Sequence, residues 1–259
     1  MRISIATLAL SMLLIVSCKT TSPDKGKLRS DPEQTQAPLQ GKPFNAEAVC
    51  DSLKNDSFQW GSVIAQIQWL CDRNGFAILK QKAFTGKGTL QPVEYFAEQD
   101  KIMYYALGMS LDGSLANLTG LNDLFCDNFE TLRAKFGGQG LEDVQSITVS
   151  RREEASCEYL QTAVPQWGVR ADFKAAANFG KLEEHNMNWR VDGMIAPLNY
   201  SPIKQYSVLA LSWEEEGRLQ GVYLIRVQVQ VSGLLMGTAR SAMKKTITNI
   251  MKGYQNLLQ

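Results

Sequence analysis

Histidine is almost missing from this sequence. His185 is the single one in 259 residues, so any Ser-His-Asp or Cys-His device would have to be built on it. No CxxC spacing occurs either, and with one imidazole the chain offers no ordinary zinc ligand set. There is no G-x-G-x-x-G and no phosphate loop; "GGQG" (137–140) reads as a helix stop and turn. Charge of one sign is not in excess, with 27 Lys and Arg against 26 Asp and Glu. Nucleic-acid binding, which needs a clustered basic surplus, is therefore not expected. The doublets Arg151-Arg152 and Lys244-Lys245 read as solvated edges. No internal repeat is present. The one long apolar run, Ile3 to Val16, would span about 21 Å as a helix, short of the roughly 30 Å hydrocarbon core.

A run of that length behind Arg2 fits a secretion signal better than a membrane span. It ends Ile15-Val16-Ser17-Cys18, which resembles the bacterial lipobox. The resemblance implies removal of residues 1–17 and acylation of Cys18, with enough acyl chains for stable membrane attachment. Lys19, rather than Asp, follows the cysteine, as is usual in outer-membrane lipoproteins. The expected location is thus the bacterial envelope, on the outer membrane facing the periplasm. Residues 18–43 carry no aromatic residue and little that is apolar, so they read as a flexible tether with a reach of about 25–30 Å.

With Cys18 set aside, Cys50, Cys71, Cys126 and Cys157 remain. An even number in an exported chain suggests two disulfides, and four cysteines allow three connectivities. Closeness in sequence favours Cys50–Cys71 and Cys126–Cys157, each closing a loop worth about 3 kcal/mol in the chain-entropy model.

Residues 44–73 read as helices, with Asn45 as a cap and Trp60, Val63, Ile64, Ile67 and Leu70 at three- and four-residue spacing. Asn74-Gly75 reads as their stop, "GFAILKQK" (75–82) as a strand and "GKG" (86–88) as a turn. Residues 101–111 alternate, placing Met103, Tyr105, Leu107, Met109 and Leu111 on one face. Residues 114–137 look helical. Six strand-like runs follow, near 143–151, 156–164, 169–179, 186–195, 205–214 and 221–231. In the last three, Met187, Trp189 and Val191 share a face, as do Leu209, Leu211 and Trp213, and Tyr223, Ile225, Val227, Val229 and Val231. Half-buried strands of this kind suit an antiparallel sheet. A helix of about 25 residues closes the chain, its apolar stripe running from Met236 and Met243 to Tyr254 and Leu257.

This order of elements resembles the helix-grip fold of START-type and polyketide-cyclase-type (SRPBCC) domains. Two stretches echo the family: "VPQWGVRADF" (164–173), through Pro165, Trp167, Val169, Arg170, Asp172 and Phe173, and the strand-to-helix junction "VSGLLMGTARSAMKKTITNIMKGYQNL" with Gly233. The resemblance implies an α+β, Bet v 1-like domain over residues 89–259, a curved antiparallel sheet wrapped around the C-terminal helix. Residues 44–88 precede it as a helical extension. It also implies an apolar cavity between sheet and helix, lined by Tyr105, Met109, Met187, Trp189, Trp213, Tyr223, Met236 and Met243. The expected occupant is a lipid or other hydrophobic small molecule, with no cofactor, metal or nucleic acid involved.

Two other functions compete. A polyketide-cyclase-type enzyme would use His185, Asp172 or Arg170 to position a substrate. An envelope interaction protein would use the fold as a scaffold, its pocket filled by its own side chains. The carboxylate runs Glu153-Glu154, Glu183-Glu184 and Glu214-Glu215-Glu216 fall at strand ends and read as solvated charge.

Overall fold

The computed structural model describes residues 44–55, 61–86, 93–94, 101–118, 120–141, 144–163, 170–199, 203–230, 232 and 235–258. The signal segment, Cys18 and the tether lie outside the described residues, as does the stretch 164–169.

Three helices come first: α1 (Ala46–Asn55), α2 (Ile64–Asp72) and α3 (Gly75–Gln81). Asn45 caps α1, its Oδ1 accepting from the backbone N–H of Glu47 at 3.0 Å and of Ala48 at 3.2 Å. Cys50 and Cys71 join α1 to α2. The strand expected at 75–82 is helix α3 instead. Asn74, with φ of 55°, turns the chain sharply after α2 without ending the helical run. Phe76 and Leu79, three residues apart, then face the sheet together. Backbone of α3 comes so close to β2 that a Cβ on Gly108 would lie 2.3 Å from the Leu79 carbonyl oxygen.

The strands are β1 (Val93–Glu94), β2 (Ile102–Asp112), β3 (Val144–Glu153), β4 (Ser156–Ala163), β5 (Ala171–Leu182), β6 (Met187–Pro197), β7 (Ile203–Glu215) and β8 (Arg218–Val229). They form one antiparallel sheet in the order β1-β2-β8-β7-β6-β5-β4-β3. Strands β3 to β8 are consecutive neighbours, and β2 returns to pair with β8, so β2 and β3 lie far apart in the sheet. Between them run α4 (Leu121–Asp127) and α5 (Phe129–Lys135), and α6 (Met236–Leu258) ends the chain. Cys126 at the end of α4 is bonded to Cys157 on β4.

Both faces of the sheet are covered. On the inner face, Tyr105, Met109, Val208, Ala210, Tyr223 and Ile225 pack against α4, α5 and the Met236, Met243, Ile247 and Tyr254 side of α6. On the outer face, Ala106, Val191, Leu209, Leu211, Val222 and Leu224 pack under α1–α3. A curved antiparallel sheet gripping a long C-terminal helix is the helix-grip architecture of START-like domains. Here a second helical layer backs it.

Candidate functional site

Strand β6 makes the interior unusual. Its alternation sends Met187, Trp189 and Val191 outward, beneath α1–α3, and Asn188, Arg190 and Asp192 inward. Arg190 and Asp192 are both 0% exposed. Arg190 Nε donates to Asp192 Oδ2 and Nη2 to Oδ1, each at 2.6 Å, a bidentate pair. Nη1 donates to Oδ1 of buried Asn122 on α4 at 3.0 Å. The guanidinium carbon stands 4.3 Å from the Phe125 ring centroid.

Four tyrosines border this pair. Tyr159 on β4 and Tyr206 on β7 meet hydroxyl to hydroxyl at 3.3 Å. Tyr223 on β8 and Tyr254 on α6 have ring centroids 5.7 Å apart, and neither hydroxyl has a well-formed hydrogen bond among the described residues. Ser212 Oγ, also buried, has none either. Burial pushes the Tyr159, Tyr223 and Tyr254 hydroxyls up, so all three stay protonated. Burial works against the Arg190 charge, but Asp192 beside it prevails and holds the guanidinium protonated. For Asp192 burial outweighs the guanidinium and raises its carboxyl to about 6.

The void under α6, bounded by Leu107, Val208, Tyr223, Ile225, Ile247, Ile250 and Met251, is about 10 Å³, near the minimum for one water.

Of the eight residues expected to line a single cavity, Tyr105, Met109, Tyr223, Met236 and Met243 belong to the inner cluster. Met187, Trp189 and Trp213 do not; they pack in the outer layer, where Trp213 stacks on Phe44 at 4.4 Å. The reason is the extension α1–α3. It supplies an apolar cover for the outer face, so the apolar set of β6 turns that way and the polar set turns in. Arg190, Asp192, Asn122, Tyr159 and Tyr206 were not anticipated. The signal was present in "MNWRVDGM", where every second residue from Asn188 to Asp192 is polar.

Of the residues of the enzyme reading, Arg170 and Asp172 pair with each other, but His185 stands apart from both. His185 lies in the β5–β6 turn, its Nε2 2.8 Å from Ser52 Oγ on α1. Asp172 is at the other end of β5, bonded to Thr162, Arg170 and Asn199. Slight burial raises its carboxyl, but the Thr162 and Arg170 bonds prevail and hold it below the usual range. Arg170 is exposed, and none of the three reaches the Arg190–Asp192 pair. Among the described residues no His/Cys/Asp/Glu group is arranged to hold a metal ion.

No family model and no curated protein matches the sequence. Solved structures match at low scores. The STAR-related lipid transfer protein from Xanthomonas axonopodis (fragment 25–204) is similar over 65% of this chain and 98% of its own, with 10% identity and a TM-score of 0.45. Human STARD10 is similar over 72% of this chain and 79% of its own, with 11% identity and a TM-score of 0.43. The di-domain ARO/CYC protein StfQ from the steffimycin biosynthetic pathway is similar over 61% of this chain and 50% of its own, with 9% identity and a TM-score of 0.43. The fold assignment rests on the strand order and the position of α6.

Proposed function

We propose that this protein is an envelope lipoprotein that holds an uncharged, amphipathic, mainly hydrophobic molecule between the sheet and α6. The observation that carries this reading is the enclosed Arg190–Asp192 pair, with the buried hydroxyls of Tyr159, Tyr223 and Tyr254 close enough to interact with it. Such a set is costly to bury, and apolar residues of the same volume would fill the space at least as stably. A ligand's polar end gives it a use. The pair has no net charge, so it suits a head that both donates and accepts hydrogen bonds, such as a hydroxyl. A charged head would have to displace one member.

In this reading the closed interior is the empty state, and the flexible Met236, Met243 and Met251 side chains with α6 yield to admit the ligand. Acylated Cys18 would keep the domain beside a bilayer that supplies it. The test uses the full chain carrying Cys18→Ser and a long-chain alcohol as probe, followed by native mass spectrometry. One bound alcohol per chain, lost in Arg190→Met, is the expected result; no binding at any concentration overturns the reading. Labelling of the unaltered chain with radioactive palmitate, absent in Cys18→Ser, tests the anchor.

A second reading is favoured by the void of about 10 Å³. In it the grip is a solid scaffold for a protein partner. Absence of any bound alcohol would select it. Nothing in the positions of His185, Asp172 and Arg170 favours the cyclase-type enzyme.

A further inference from the structure

Gln161 on β4 shares the inner face with Cys157 and Tyr159 and is 1% exposed. Neither its Oε1 nor its Nε2 has a hydrogen-bond partner among the described residues. A primary amide offers two donors and two acceptor sites, and leaving all of them unmade costs the full desolvation of the group. Its cross-strand neighbours are Ile147 on β3 and Phe173 on β5, whose side chains cannot satisfy it. A leucine or methionine would fill this place without that cost.

The position is connected to the ion pair. Two residues before Gln161, Tyr159 Oη meets Tyr206 Oη at 3.3 Å, long for a hydroxyl pair. Strands β4 and β7 are three apart in the sheet, or about 14 Å if it were flat. The contact therefore shows how far the sheet's curvature folds the β4 wall toward β7. From Asp192 the register runs through Ala177 to Cys157, and Gln161 lies four residues further along β4. At ordinary spacings the Asp192 and Gln161 Cα atoms are about 16 Å apart, and the concavity brings their side chains closer. Gln161 thus lies on the same inner face as Tyr159, two residues along β4 from the tyrosine pair.

We propose that Gln161 is a second polar subsite of the grip, taking a hydroxyl or secondary amide partway along the chain of an elongated ligand whose head lies on Arg190–Asp192. The proposal rests on the reading that the interior holds a ligand. Both amide atoms of Gln161 are unspent, so the complement is a group that accepts from Nε2 and donates to Oε1. An ester or ether accepts only and leaves Oε1 bare; a plain hydrocarbon leaves both bare.

Four alcohols of matched length test this on the full chain with Cys18→Ser, through displacement of a fluorescent long-chain alcohol. They are N-(6-hydroxyhexyl)dodecanamide, the corresponding ester 6-hydroxyhexyl dodecanoate, a diol with its second hydroxyl at the amide position, and the unsubstituted alcohol. The amide or the diol is expected to bind about tenfold more tightly than the ester and the plain alcohol, the effect of one buried hydrogen bond. Gln161→Met should abolish the preference while keeping the plain alcohol's affinity. Equal binding of all four, or a preference that survives Gln161→Met, overturns the subsite and leaves the ligand reading standing. Failure of every probe to bind defeats the ligand reading, and the subsite with it. A thermal melt of Gln161→Met supplies an independent check. An unchanged or higher Tm is expected; a Tm lower by several degrees would mean that the amide is bonded in the empty protein, and would overturn the proposal.

Discussion

The two faces of the sheet are buried to a similar depth by different means. Outside, Trp213 stacks on Phe44 and meets Phe76 edge-on at 6.0 Å, and the Cys50–Cys71 bond ties together the helices that cover them. The buried amide Gln66 there donates to Ser207 Oγ at 2.9 Å, while its Oε1 and Trp213 Nε1 have no partner among the described residues. Inside, an ion pair sits at the centre, and Gln161 and Ser212 keep polar atoms without partners among the described residues. Unpaired polar atoms occur on both faces, so what sets the inner one apart is its buried ion pair.

The sharpest test of that contrast is Arg190→Ala. Removing one member leaves the Asp192 charge buried without its partner, which should cost about 3–5 kcal/mol in urea unfolding. Replacing both, as Arg190→Met with Asp192→Leu, should recover most of the loss and abolish alcohol binding. A stable double variant that still binds would erase the distinction between the faces. Trp213→Ala should cost a comparable amount, about 3–4 kcal/mol, through the cavity it leaves. Its effect on ligand affinity should be nil, because the residue lies across the sheet from the site.

Opening the outer clamp by Cys50→Ser with Cys71→Ser should cost about 3 kcal/mol in the chain-entropy model, read as a lower Tm with binding retained. The smallest effect is that of pH. Asp192 has a folded pKa of about 6, raised from 3.8, so between those values the folded chain holds a proton that the unfolded chain has released. Stability from this group therefore increases as pH falls, by about 1 kcal/mol from pH 7 to pH 5. Denaturation at the two pH values should show that increment in the wild type, and Asp192→Asn should lack it.

Much of the fold could be read from alternation. The six strands from β3 to β8, β2 and α6 lie where the spacing of Tyr105, Leu209, Tyr223 and Met243 puts them, because one-sided burial leaves a periodic trace. Alternation, however, sorts side chains into two sets without telling which set faces in. For β6 the apolar set Met187, Trp189 and Val191 was assigned to the grip, yet α1–α3 claim it. Helix α3 was missed because seven residues hold too few turns to distinguish a helix from a buried strand. Nothing in the local pattern distinguishes Arg190, Asp192 and Gln161 from solvent-facing positions. Their burial depends on long-range closure by α4 and α6, which leaves no local pattern.

The pairing of β2 with β8 has a consequence in time. Their partners, from Asp112↔Arg218 to Ile102↔Gln228, are more than a hundred residues apart, so β2 must wait with an open edge until nearly the whole chain is available to fold. Contacts this distant are slow to form. The outer helices rest partly on β2 and β8, so they too lack a platform until then, although Cys50 and Cys71 are near enough in sequence to join early. Folding therefore passes through an interval in which a covalent loop can exist but no sheet supports it. An exposed strand in that interval is a target for chaperones and proteases.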